Sequence, residues 1–193
     1  MSKNSFKVLR PGINTTFQDL GRDNLYHVGL PFSGAIDKRN FLIANSLVTN
    51  REDDAALEFA YQGPLLEFSG SKTSIVITGN VNFKIIKKDT SEIKGECYRT
   101  YDLNNKDCLD IISTEKSVYG YLSVKGGFQL DKFCNSYSTT VRAEVGPNDG
   151  KKIEIGQTII LNASESSIEK SLEYLNSKIE FIRVIKGTNF DYF

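Results

Sequence analysis

Between Thr15 and Glu58 the sequence concentrates side chains able to hold and polarise a small polar molecule. The run TTFQDLGR supplies Thr16, Gln18, Asp19 and Arg22, the run GLPFSGAID adds Ser33 and Asp37, and the apolar segment after it carries Asn45. An ionised Asp19 only accepts hydrogen bonds, Arg22 offers a rigid planar fork of donors, and Gln18, Ser33 and Asn45 both donate and accept. Such a set suits an amide or an anion. The same spacing also allows a plainer arrangement, in which Asp19 and Arg22 make one local ion pair that closes a turn. Gly126 and Gly127, after YLSVK, form a second candidate. Their amides could form an anion-binding nest close to a ligand, or they could make only a tight turn.

Other catalytic patterns fail on their own requirements. His27 is the single histidine, set beside the Gly-Leu-Pro loop, and reads either as a lone base or as a structural imidazole. A Ser33, His27, Asp19 triad can be drawn, but nearness in sequence is not triad geometry. The stretch Gly146 to Lys151 imitates a phosphate loop yet leads into strand-like residues, whereas a phosphate loop needs a helix N-terminus there; a hairpin turn is the expectation. No GxSxG elbow and no HExxH occur, and the cysteines Cys97, Cys108 and Cys134 lack zinc-type spacing, so no metal site is expected.

The elements that must position these residues follow from turn chemistry and periodicity. Phe6 to Leu9 reads as a strand stopped by Pro11-Gly12, Thr15 to Arg22 as a turn, and Leu25 to Val28 as a second short strand. Asp37 stands where an N-cap belongs, although it could also serve chemistry, and it opens a helix over about Lys38 to Thr49. Asn50 is placed to end that helix in the left-handed conformation. Short β-like runs then follow near 56–61, 65–69, 74–78, 82–87, 98–103, 108–113, 118–125 and 158–161, separated by Gly- and Asn-rich turns. That texture indicates a sandwich or barrel, mainly β with two or three helices. A further helix is expected over Ser164 to Asn176, with Ile168, Leu172 and Leu175 on one stripe, and a strand over Lys178 to Lys186.

The chain's 193 residues suffice for one sizeable core. Lysine plus arginine and aspartate plus glutamate both number 24, so no overall field draws the chain to nucleic acid or anionic lipid. The odd, scattered cysteines and the polar MSKNSFKVLRPG start, which has no apolar signal-peptide core, make a soluble cytoplasmic chain the expectation. No stretch reaches the apolar length of a membrane span.

Taken in order, RPG, TTFQDLGR, GLPFSGAID, the ANSLVTN of the helix, LE with GPLLEF, and ITGN resemble the allophanate hydrolase subunit 2 family. That family includes the C-type subunit of 5-oxoprolinase, the KipA-type proteins and the carboxyltransferase domain of urea carboxylase. Tyr121 to Gly127 (YLSVKGG), Asn135 to Thr139 (NSYST) and Ile182 to Gly187 (IRVIKG) are similar to later landmarks of the family. Departures are Asn135 and Tyr137, where the family has Gly and Arg, and Thr49 in place of Gly.

The resemblance implies a cyclophilin-like β-barrel built in two halves with the active region between them. By this reading residues 1–162 form the first half, and 163–193 a linker helix and the first strand of a truncated second half, which a separate chain could supply. It implies a component of an ATP-dependent complex that opens the lactam of 5-oxoproline to glutamate, inactive alone and partnered by the A-type and B-type (KipI-like) 5-oxoprolinase subunits. Arg22 would then stabilise an anion, Gln18 and Asn45 would orient the amide, Asp19 or Asp37 would position or transfer a proton, and Glu58 would be a further acid or base. Thr16, Ser33, Gly126 and Gly127 complete the expected binding set. Two alternatives stay open: a biotin-dependent carboxyltransferase half-domain, with biotin on a partner, and a non-catalytic KipA-like regulatory protein.

Overall fold

The computed structural model describes residues 3–162, 169–173, 184, 186 and 187. Among these the chain is mainly β, with eleven strands and one α-helix. The strands are β1 (Ser5–Arg10), β2 (Asn14–Gln18), β3 (Ala56–Ala60), β4 (Leu65–Ser69), β5 (Lys72–Thr78) and β6 (Val81–Ile86). They continue with β7 (Glu92–Lys94), β8 (Thr100–Asn104), β9 (Cys108–Thr114), β10 (Tyr119–Val124) and β11 (Thr158–Ile160). The helix is α1 (Lys38–Leu47), and short 3-10 turns occupy Tyr26–Val28, Val141–Ala143 and Asn148–Gly150.

Every strand pairing is antiparallel, in two sheets of order β11-β1-β4-β9-β6-β7 and β2-β3-β10-β5-β8. The expected barrel therefore takes the form of two facing sheets that do not close among the described residues. Alternation along each strand explains their packing. Phe6, Val8, Leu66, Phe68, Phe83, Ile85, Leu109 and Ile111 from the first sheet meet Phe17, Leu57, Phe59, Ile75, Ile77 and Leu122 from the second in one buried core. A second core lies on the outer face of the second sheet, where Phe41, Ala44 and Leu47 of α1, with Val48 just after it, cover Ala56, Val76, Tyr98 and Tyr121.

The helix begins as its cap residue dictates: the Asp37 carboxylate accepts from the backbone N–H of Asn40 at 3.1 Å. It ends at Leu47, two residues before the sequence indicated. Thr49, not Asn50, takes the left-handed conformation (φ 54°). Asn50 instead bridges outward, donating through Nδ2 to Val124 O at 2.8 Å and accepting from Gly126 N at 2.9 Å.

Three local expectations are corrected. Asn14–Gln18 is a strand rather than part of a turn, because it pairs along its length with β3. Leu25 to Val28 does not form a strand: its amides close a 3-10 turn, Val28 N on Leu25 O at 3.1 Å, with Gly29 left-handed behind it. Residues 169–173, expected inside a helix, run extended against 98–100, with Thr100 N on Lys170 O and Leu172 N on Tyr98 O, both at 2.9 Å. The other residues of the expected helix Ser164–Asn176, and nearly all of the strand expected over Lys178–Lys186, lie outside the described residues.

Candidate functional site

Register in the second sheet builds the floor of the site. Thr16 of β2 stands opposite Glu58 of β3, Glu58 opposite Tyr121 of β10, and Tyr121 opposite Thr78 of β5. Residues so paired share a face, so four side chains with oxygen functions form one row across four strands on the α1 side. Gln18, two residues along β2, joins the row by donating from Nε2 to Thr16 Oγ1 at 2.9 Å and to Thr139 O at 3.0 Å.

Glu58 is the focus of this row. Its Oε2 accepts from the Tyr121 hydroxyl at 2.7 Å and from Ile36 N–H at 2.9 Å. The same Tyr121 oxygen accepts from Asp37 N–H at 2.7 Å. The loop GLPFSGAID is thereby tied to the sheet at the two residues that lead into α1. Burial pushes the Glu58 carboxyl above the usual glutamate range; the Ile36 and Tyr121 bonds oppose this, and the nearby Asp37 charge adds to it. Burial also pushes the Tyr121 phenol upward, so it stays protonated.

A second cluster lies beside β2, at its free edge. Asp19 and Arg22 do not pair; no ion pair within 4.0 Å joins them. Each is instead taken up by residues 136–140, a segment that lies along β2 through Thr139 N on Phe17 O at 2.9 Å. Asp19 accepts from Ser136 Oγ at 2.8 Å, Ser138 Oγ at 2.5 Å, Tyr137 N at 2.5 Å and Gly21 N at 2.8 Å. Arg22 donates from Nη1 to Thr140 Oγ1 at 2.8 Å and to Ser33 Oγ at 3.4 Å, and from Nη2 to Ser138 O. Its guanidinium carbon stands 5.7 Å from the centre of the Phe133 ring. Burial lowers the Arg22 pKa, against the pull of Asp19 and Cys134.

The two loops that carry these groups lie backbone to backbone. Arg22 N donates to Phe32 O at 2.8 Å and Ala35 N to Asp19 O at 2.9 Å. Gly21 and Gly34 both have positive φ, and a Cβ on Gly34 would stand 2.9 Å from the Gly21 nitrogen. Only glycine fits that approach.

Of the residues singled out in sequence, the fold bonds Asp37 and Glu58 together through Tyr121, sets Thr16 and Gln18 beside them on the same sheet face, and gathers Asp19, Arg22 and Ser33 in the adjoining cluster. Asn45 is held elsewhere: it is fully buried, donating to Asp54 O at 2.7 Å and accepting from Ser123 Oγ at 2.9 Å, which ties α1 to β10. Gly126 and Gly127 are also apart, and both amides are used within the chain, Gly126 N by Asn50 Oδ1 and Gly127 N by Val124 O, each at 2.9 Å. Sequence reasoning quoted Tyr121, Ser136 and Ser138 only within family landmarks and gave none of them, nor Thr140, a place in the site. The Ser-x-Ser-Thr-Thr run was the available signal for the last three.

Two buried polar atoms in these clusters have no partner, Gln18 Oε1 and Arg22 Nε. An orphaned buried polar group costs about 1–3 kcal/mol, so such atoms mark places where a ligand can repay that cost. Two places where a phosphate could be held fail among the described residues. The first turn of α1 is occupied by the Asp37 carboxylate, and Gly146 to Lys151 passes through a 3-10 turn into extended backbone. No group of three or more His, Cys, Asp or Glu side chains able to hold a metal occurs among the described residues. No helix among them is long and apolar enough to cross a membrane.

Comparison with known proteins gives consistent results. The family model for the carboxyltransferase domain, subdomain A and B, matches residues 28–193. The chain is 30% identical over 176 residues to urea amidolyase of Saccharomyces cerevisiae, covering 91% of this chain and 9% of that protein. It is 31% identical over 144 residues to the C-type subunit of 5-oxoprolinase from Haemophilus influenzae, covering 75% of this chain and 45% of that one. Among solved structures, K. lactis urea amidolyase superposes with a TM-score of 0.77 at 29% identity, over 89% of this chain and 10% of that one. The chain thus spans under half of the Haemophilus relative and about a tenth of the urea amidolyases.

Proposed function

We propose that this chain, which belongs to the carboxyltransferase domain family (subdomains A and B), is part of an ATP-dependent enzyme complex that opens a cyclic amide, in line with the 5-oxoprolinase name of its Haemophilus relative. One observation carries the reading: a desolvated carboxyl, Glu58, is held with one oxygen committed to the protein, in a row with Thr16 and Gln18 and beside the buried Arg22 cluster. A carboxyl whose pKa is raised by burial holds its proton to higher pH than an exposed glutamate does, which suits it to proton exchange. Gln18 would meet the amide through its unpartnered Oε1, which calls for an N–H donor. Arg22 would stabilise negative charge that develops on the amide oxygen. Asp19 would hold the segment 136–140 against β2 so that Arg22 keeps its place. Asp37 would act through its backbone, on Tyr121, as well as by capping α1.

An amide carbonyl is a poor electrophile, and ATP would supply a phosphoryl group to activate its oxygen. Neither the start of α1 nor Gly146 to Lys151 offers that nucleotide a cradle, and we assign its binding to a partner chain. The partners this reading requires are counterparts of the A-type and B-type 5-oxoprolinase subunits, with the remaining half of the family's length from this protein or another.

A second reading is favoured by the urea amidolyase relatives, which match a larger share of the chain. In it the same groups bind urea or a similar amide that accepts a carboxyl group from biotin on a partner carrier. Reconstitution separates the two. The chain mixed with candidate A-type and B-type subunits should hydrolyse ATP only when 5-oxoproline is present. Turnover that instead needs a biotinylated carrier and urea would replace the first reading with the second. Stable complexes silent in both assays would leave a regulatory binding role.

A further inference from the structure

We infer that Tyr121 is a positioning residue that commits Oε2 of Glu58 to the protein and so confines the exchangeable proton of Glu58 to Oε1. The inference deepens the proposed function, since it rests on reading Glu58 as the acid or base there.

Counting hydrogens fixes the direction of each bond. A backbone N–H can only donate, so the Asp37 amide, 2.7 Å from the Tyr121 oxygen, uses that oxygen as an acceptor. The phenol then has one hydrogen to place, and among the described residues its only acceptor is Glu58 Oε2, at 2.7 Å. Ile36 N–H, also obliged to donate, points to the same Oε2 at 2.9 Å. Oε2 therefore receives two donors and has no use for a proton of its own. Oε1 receives no hydrogen bond from any described residue, and it is not among the buried atoms left without a partner. When Glu58 is protonated the proton stands on Oε1, and when it is ionised Oε1 is the free acceptor. One oxygen is structural and the other is chemical.

The surroundings are consistent with this division. From the N-terminal flank of α1 the facing titratable group is Asp37, and from β10 it is Tyr121; β2 contributes Thr16, which does not titrate. Tyr121 is itself fixed from every side, fully buried and edge-on to Phe41 of α1, with ring centres 6.1 Å apart. A phenol held this rigidly can set the carboxyl plane as well as its charge.

The test follows the Glu58 carboxyl directly. The full chain is labelled with 13C at glutamate carboxyls, and the Glu58 signal is assigned by its loss in Glu58→Gln. Its titration midpoint is then compared in wild type, in Tyr121→Phe and with 3-fluorotyrosine placed at position 121. Losing the phenol donor removes a bond that favours the charged form, so Tyr121→Phe should raise the midpoint by about one pH unit or more. Fluorination makes the phenol a stronger donor with almost no change of shape, so that variant should lower the midpoint by a few tenths of a unit. Should Tyr121→Phe fail to fold, the fluorinated chain decides alone. A midpoint unmoved by fluorination, or moved upward, overturns the inference. In the assembled complex Tyr121→Phe should lower kcat with KM changed less than about twofold, and the pH limb assigned to Glu58 should move by the amount seen in the titration. Shifted titrations together with turnover indifferent to Glu58→Gln would keep the inference and reject the functional reading on which it was built.

Discussion

Glu58 shows how a single position can set stability against chemistry. Burial raises its pKa, so as pH rises the unfolded chain releases this proton before the folded chain does. Between the ordinary glutamate range and the higher value in the fold, the native state binds more protons, and stability must fall with rising pH across that window. Above it the loss is constant. Glutamine removes the titration while keeping a carbonyl oxygen for Tyr121 and Ile36. In urea melts, wild type should therefore lose stability relative to Glu58→Gln as pH rises from the ordinary glutamate range through the raised value of the fold; parallel curves would mean that Glu58 titrates as it does in the unfolded chain. Asp19 has a structural part, as an acceptor for four donors. Asp19→Ala would strand the hydroxyls of Ser136 and Ser138, at a cost of about 2 kcal/mol or more in denaturant, with Asp19→Asn recovering part of it. The types and cluster of Thr16, Gln18, Asp19 and Arg22 were legible in sequence because they lie within seven consecutive residues. Their partners were not. Ser136 to Thr140 reach them only through a contact more than a hundred positions away, and no local pattern encodes that distance.

At the scale of elements, α1 and the loop before it act as a lid fastened to the second sheet. The fastening is polar at its start, through Ile36 and Asp37, and apolar along its length, through Phe41, Ala44, Leu47 and Val48. Phe41→Ala would remove a fully buried ring and the edge contact that steadies Tyr121. A loss of about 3–5 kcal/mol is expected in chemical denaturation, as for other buried aromatic truncations. A loss below about 1 kcal/mol would show that the lid packs more loosely than the contacts imply. The start of α1 was readable from Asp37 because a cap acts on residues three positions away. Strands of alternating apolar residues, such as Leu65–Ser69, were readable for the same reason. The β2 strand was hidden under a turn-like composition, and its identity comes from pairing with β3, a partner some forty residues further on. Register was the missing information: it alone sets Tyr121 opposite Glu58.

At the scale of the molecule, the described residues build two facing sheets with a polar row on an outer face, and the chain covers only part of its relatives' length. The site collects residues from β2, β3, β10, the loop before α1 and the segment 136–140, all within this one stretch. That stretch is therefore expected to carry a proton-transferring group of its own and to be more than a scaffold for a partner. The most direct measurement is steady-state turnover of 5-oxoproline by the chain assembled with A-type and B-type subunits, wild type against Glu58→Gln, with complex formation monitored in parallel. General acid–base catalysis is worth about 10²–10⁴-fold, so Glu58→Gln should assemble normally and lose at least about a hundredfold in kcat. Assembly with turnover unchanged would contradict this role for Glu58 and move the chemistry out of this chain.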